Sequence, residues 1–311
     1  MSEKSLLRHP GMMDWVGLCL CTALLVWYYA FYVGYTSGTQ TAVAWIQCTW
    51  NRENDYEHGW MVPLLAGYLM VHAWRRAGEG ELRHGPGGLW MLVLGGALAL
   101  LAARTQQGRV AIGALPVLLT GLVWCYAGTR AARICAFPFF FLWLAIPLPG
   151  FQQATVGLQL LATKGAQWGA ALFGVQTVVE GTNISSASGQ WDTYSIVGGC
   201  SGIRSLMALL MLSAAWGYLA DGLALWKRVL LGLSAVPLSI LANAFRVASI
   251  FVCAEYVDAS FAGKTWHDWS GLLFFFPASL VGLTVLHGLL AGEIPFLKKR
   301  RVVVRTNRDE A

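Results

Sequence analysis

Short basic segments cut the chain into a series of apolar runs, most of them close to the length that crosses a bilayer. About 20 apolar residues in a helix span the hydrocarbon core. Only a helix or a closed barrel satisfies every backbone polar group there, so such runs leave the chain few alternatives. They fall at 13–35, 59–74, 89–103, 110–127, 134–148, 202–220, 229–256 and 269–291. The sequence therefore predicts an all-α polytopic membrane protein of about eight transmembrane helices, one integral membrane domain over 1–311. Composition agrees, with 56% hydrophobic and 12% charged residues, and with Trp and Tyr numerous enough to form interfacial belts.

Two stretches break the pattern. The segment 155–175 is helical in period but interrupted by Gln159, Lys164, Gln167 and several glycines, and reads as amphipathic or re-entrant. After it, Val178-Val179 and Tyr194 to Val197 flank a Ser/Gly/Asn-rich region. This predicts a small extracytoplasmic β-hairpin ahead of the helix at 202–220. A polar segment precedes the second run, and short loops are expected elsewhere, including Val257 to Trp266.

Orientation follows from Lys and Arg. Eight spans with both ends cytoplasmic put Lys4, Arg8, Arg75, Arg76, Arg83, Arg130, Arg133, Lys227, Arg228 and the basic tail of 292–311 inside. Only Arg52, Arg104, Arg109, Lys164 and Lys264 fall outside, as the positive-inside rule requires. The net charge of +6 is thus an orientation signal. No nucleic-acid module accompanies it, so the bilayer and not nucleic acid is the expected partner. The first apolar run is long and lacks a small-residue cleavage site, which reads as a retained helix. No Cys-x-x-Cys pair or His/Cys cluster argues for a metal, and no cofactor is expected.

The chemistry concentrates in Tyr194-Ser-Ile-Val-Gly-Gly-Cys-Ser-Gly-Ile-Arg-Ser-Leu206. Cys200 stands behind a Gly-Gly pair at the mouth of an apolar helix, where unpaired N–H groups and the helix dipole favour a thiolate. Arg204, one turn deeper on the same face, adds positive charge. The topology brings two more groups to that level. His267 begins a span from the outer side. Arg246 lies about 17 residues beyond Val229, roughly 25 Å up a helix, near the outer boundary of a core about 30 Å thick. Asn243, one turn below, shares its face. A thiol, an imidazole and a cation at one depth are the parts of acyl transfer: nucleophile, proton shuttle and oxyanion stabiliser. Each also has a plainer reading: a packing cysteine, a helix-capping His-Asp pair, a snorkelling arginine. Asp55, Glu57 and His58 form a second polar set outside the second run. Its plain reading is a solvated helix cap, and it is too local to read as a metal site.

These residues resemble the exosortase/archaeosortase transpeptidases. Asn54-Asp-Tyr-Glu-His-Gly-Trp-Met-Val-Pro63, followed by Arg75-Arg76, is similar to that family's Asp-x-x-Tyr-Ser-His-Gly-x-x-x-Pro signature in shortened form, with Glu57 where Ser is usual. Gly199-Cys-Ser-Gly-Ile203 resembles its nucleophile motif, Asn243-Ala-Phe-Arg246 its Asn-x-x-Arg motif and His267-Asp-Trp-Ser-Gly271 its His motif, in the same order. The resemblance implies a catalytic triad of Cys200, Arg246 and His267. Arg204, Asn243, Asp55, Tyr56 and His58 are expected to support it or to bind substrate. It implies a thiol protease or transpeptidase of the bacterial inner membrane with its active site facing the periplasm. The implied substrates are secreted proteins ending in a short motif, typically Pro-Glu-Pro, a transmembrane helix and a basic tail. Two rivals stand beside it. One is a transporter or assembly component for surface polysaccharide, with Arg246 and His267 lining a polar path; the other is a membrane acyltransferase using Cys200.

Overall fold

The computed structural model describes residues 12–51, 53–77, 85, 87–147, 156–195, 202–220 and 222–292. The chain divides into two compact units, Met1–Leu160 with Ser201–Met211, and Leu161–Cys200 with Leu212–Ala311.

In the first unit α1 (Met12–Val26) continues as a π-helical turn, Trp27–Phe31. A short helix within the expected polar segment, α2 (Ala42–Thr49), follows; Thr41 caps it by accepting from the Ala44 N–H. A 3-10 turn (Glu57–Trp60) leads into α3 (Met61–Ala77), and α4 (Gly87–Thr105) is followed by α5 (Gly108–Phe141). α4 and α5 pack along their length through small residues. A Cβ on Gly121 would meet the Leu92 backbone nitrogen at 2.9 Å, and one on Gly95 would meet Leu118 Cγ at 2.7 Å. Close backbone approach of this kind replaces the hydrophobic drive that lipid cannot supply. Tyr28 and Tyr29 tie α1 to this pair, donating to the Ala99 and Ala111 carbonyls at 2.6 and 2.8 Å.

The expected loop around Arg130 and Arg133 is absent. The chain turns at a single residue, Gly128 (φ 85°, ψ 177°), inside α5. That conformation is essentially restricted to glycine, so one residue does the work of a loop.

In the second unit the three strands β1 (Thr177–Glu180), β2 (Asn183–Ser186) and β3 (Tyr194–Ser195) form one antiparallel sheet in the order β1-β2-β3. The Asn/Ser-rich stretch expected to be turn is therefore the central strand, pairing Val179 with Ile184 and Ile184 with Tyr194. Ile184 is fully buried, and that one apolar side chain, placed on the inner face, outweighs the weak strand propensity of its neighbours. α6 (Val156–Ala171) lies against α9 (Ala235–Tyr256), with Ala162, Ala166 and Ala170 buried. A Cβ on Gly165 would meet Ala244 Cβ at 2.9 Å and one on Gly169 would meet Ala248 Cβ at 2.7 Å. The two helices thus run in the same direction. Between the sheet and α9 in the chain come α7 (Ile203–Leu219), whose part up to Met211 belongs to the first unit, and α8 (Leu225–Leu233).

The last helical stretch, α10 (Ala259–Ala291), begins earlier than the sequence suggested. The expected loop at Val257–Trp266 is mostly helical, because Asp258 caps it by accepting from the Phe261 N–H at 2.6 Å. Two π-helical turns, Ala262–Trp266 and Gly271–Phe275, bracket His267–Ser270. Among the described residues five helical stretches are long and apolar enough to cross a membrane: Asp14–Phe31, Gly87–Thr105, Gly108–Ala145, Leu225–Tyr256 and Ala259–Ala291. Arg204–Leu219 is apolar but shorter.

Candidate functional site

Two polar clusters are built from the residues singled out above, one in each unit. Cys200 lies outside the described residues.

In the second unit α9 carries Arg246 and α10 carries His267. Arg246 is 7% exposed, so its guanidinium is held by protein and not by water. Nε donates to Ser270 Oγ at 3.1 Å and a terminal nitrogen donates to the His267 carbonyl at 3.1 Å. Ser270 Oγ in turn donates to the same carbonyl at 3.1 Å. The motif His267-Asp-Trp-Ser270 is thus folded around the arginine of the other motif. Gly271 faces it as well, where a Cβ would sit 3.9 Å from Nε. A second layer fixes the helix itself: Trp266 Nε1 donates to Ser249 Oγ at 3.0 Å, and Ser249 donates to the Arg246 carbonyl at 2.6 Å. π-Helical turns occur often where a helix presents functional side chains, since the extra residue per turn re-aims them. Asn243 is buried on the same helix, 2% exposed.

The His267 side chain is partly exposed, and its Nδ1 lies 3.2 Å from Asp268 Oδ1. A carboxylate at that nitrogen takes Nδ1–H as donor and leaves Nε2 as the basic atom of the neutral ring. The guanidinium is held at the His267 backbone carbonyl, where burial leaves its positive charge poorly screened.

The first unit holds the other cluster. Asp55, 6% exposed, adopts the left-handed conformation (φ 59°) that Asp tolerates. Its carboxylate accepts from Arg204 Nε at 2.9 Å, and Glu57 reaches the same guanidinium at 3.4 Å. The set is therefore not the solvated cap of the plain reading. It ties the first turn of α7, which follows Cys200 in the chain, to the segment ahead of α3. The free positive charge expected of Arg204 is offset by these two carboxylates.

Tyr56 and His58 are buried beneath, their rings 4.9 Å apart. His58 Nε2 is buried without a partner. Burial pushes the His58 pKa below the ordinary imidazole value, against smaller upward effects of the Leu144 carbonyl and Glu57. Gly59 allows the Trp50 ring to lie against the backbone, and Trp50 Nε1 donates to the Ala145 carbonyl at 2.9 Å. Among the described residues no group of three or more His, Cys, Asp or Glu is placed to hold a metal ion.

The structure thus brings Arg246 to His267 and Asp55 to Arg204. Sequence reasoning missed Ser249 and Trp266, and gave no role to Ser270 within the His267 motif. Their hydroxyl and indole groups next to a charged motif were the available signal.

No curated protein and no solved structure matches the chain. The family model described as transmembrane exosortase matches residues 50–284, a range that takes in both clusters and the Cys200 motif between them. The chain belongs to the transmembrane exosortase family.

Proposed function

We propose that this protein is a membrane-embedded cysteine transpeptidase that processes C-terminal sorting signals of secreted proteins at the outer face of the bacterial inner membrane. The observation that supports it most is the contact between the Arg246 guanidinium and the His267 carbonyl, which joins two of the three residues that membership in the family points to. Cys200 attacks the scissile carbonyl and forms a thioester. Arg246 stabilises the oxyanion or the attacking thiolate. His267 passes a proton to the leaving amine and takes one from the acceptor, an amine or water. The substrate's own membrane helix, lying among the eight proposed spans with both termini cytoplasmic, holds the cleavage motif near Cys200. Asp55 and Arg204 brace the helix that follows the nucleophile.

The experiment is processing in membranes of a tagged substrate bearing a Pro-Glu-Pro motif, a helix and a basic tail. The parent is expected to release the tagged ectodomain and Cys200→Ala to leave it anchored. Normal release by Cys200→Ala overturns the assignment and favours a role in polysaccharide export.

A further inference from the structure

The carboxylate of Glu255, near the end of α9, accepts three hydrogen bonds, one from the last residue of the central strand of the sheet and two from the segment that joins it to β3. Ser188 Oγ donates at 2.6 Å, Trp191 Nε1 at 2.8 Å and Ser186 Oγ at 3.1 Å. No cation pairs with it among the described residues. Three hydrogen bonds to one carboxylate, each stronger for being made to a charged acceptor, commit this side chain to holding that segment.

The same segment docks at two further points. The Trp191 ring stacks on Phe251 of α9, with centroids 5.2 Å apart and planes 5° from parallel. Tyr194, the first residue of β3, donates to the Ala259 carbonyl at 2.9 Å, and its ring closes on Gly263, where a Cβ would lie 3.1 Å from Oη. Phe251 and Glu255 sit on the helix of Arg246. Ala259 and Gly263 sit on the stretch that runs into His267. One strand is thereby fastened to both helices that carry the site.

Chain length makes this consequential. Cys200 is the fifth residue after Ser195, and at about 3.3–3.6 Å per residue the chain can reach no further than roughly 18 Å from the end of β3 to it. Glu255 is about nine residues above Arg246 on a rigid helix, roughly 13–14 Å. The fastening therefore bounds where the nucleophile can be relative to its partners.

We propose that Glu255 is a positioning residue: through Ser186, Ser188 and Trp191 it holds the strand leading to Cys200 against the helices of Arg246 and His267. This rests on the transpeptidase reading and adds to it a residue outside every motif.

The test measures substrate processing at saturating substrate, together with the rate of Cys200 alkylation against pH in membranes. It compares the parent with Glu255→Ala, Trp191→Phe and Cys200→Ala. Trp191→Phe keeps the stack on Phe251 and removes only the donor, so it carries the test should Glu255→Ala fail to accumulate. Expected are a processing rate lowered about tenfold in Glu255→Ala and a few-fold in Trp191→Phe, the scale of lost hydrogen bonds to a charged group. The Cys200 alkylation profile is expected to move toward that of the exposed Cys48 in both variants, a change that a role in bulk stability does not produce. If Cys200→Ala is inactive but both variants process at the parent rate with the parent profile, the positioning role is wrong and the transpeptidase reading survives. If Cys200→Ala processes normally, the reading fails, and the positioning role fails with it.

Discussion

The contacts of Arg246 include two directed ones, Nε to Ser270 Oγ and a terminal nitrogen to the His267 carbonyl. A lysine keeps the charge but presents it as a single point that cannot reproduce that fork. Arg246→Lys is therefore expected to accumulate normally and lose most processing, measured as released ectodomain; near-parent release would reduce the arginine to an interfacial charge. His58 gives a pH dependence of definite sign. Burial holds its native pKa below the ordinary 6.5, so the unfolded chain binds the proton more readily. Stability is expected to be full above about 6.5 and to fall as pH drops through that value, until the native ring itself protonates. Thermal unfolding in detergent at pH 7.5 and 5.5 checks this, and His58→Gln is expected to flatten the difference. A parent no less stable at pH 5.5 than His58→Gln relative to pH 7.5 contradicts it. How much of this was legible in the sequence depends on chain separation. Arg246 and His267 were brought together by depth arithmetic and by motif. The pairing of Arg204 with Asp55 was not, since 149 residues separate them and nothing local marks a long-range ion pair. Glu255 was invisible because its partners are Ser and Trp, which carry no charge pattern.

At the scale of elements, the errors share one cause: a few polar or glycine residues were given more weight than their setting. Val257–Trp266 is expected as a loop, yet Asp258 caps a helix that runs through most of it. Asn183 and the serines after it suggested a turn, yet Ile184 commits them to the sheet. The arginines after Gly128 suggested a connection between two helices, and the break is Gly128 alone. Its φ of 85° with ψ of 177° is closed to residues with a Cβ, so Gly128→Ala is expected to cost about 1–3 kcal/mol. Gly96→Ala, at a helical position with open space around the added carbon, is the control and is expected to be neutral or slightly stabilising. Comparison of unfolding midpoints decides it; equal midpoints mean the break can form without glycine.

For the molecule as a whole, the proposed topology places both termini in the cytoplasm and the sheet outside. A periplasm-active reporter is expected to be silent when fused after Arg308 and active when inserted near Gly189; the reverse pattern removes the shared depth of Cys200, Arg246 and His267. The central claim is narrower than the topology: a covalent bond between Cys200 and the substrate's carbonyl carbon. Its most direct measurement is the intact mass of protein recovered from membranes after brief exposure to tagged substrate, with and without hydroxylamine. The account predicts an adduct of the tagged fragment on the peptide containing Cys200, released by hydroxylamine and missing in Cys200→Ala. Substrate cleavage at the parent rate with no such adduct at any time, or an adduct that persists in Cys200→Ala, contradicts it.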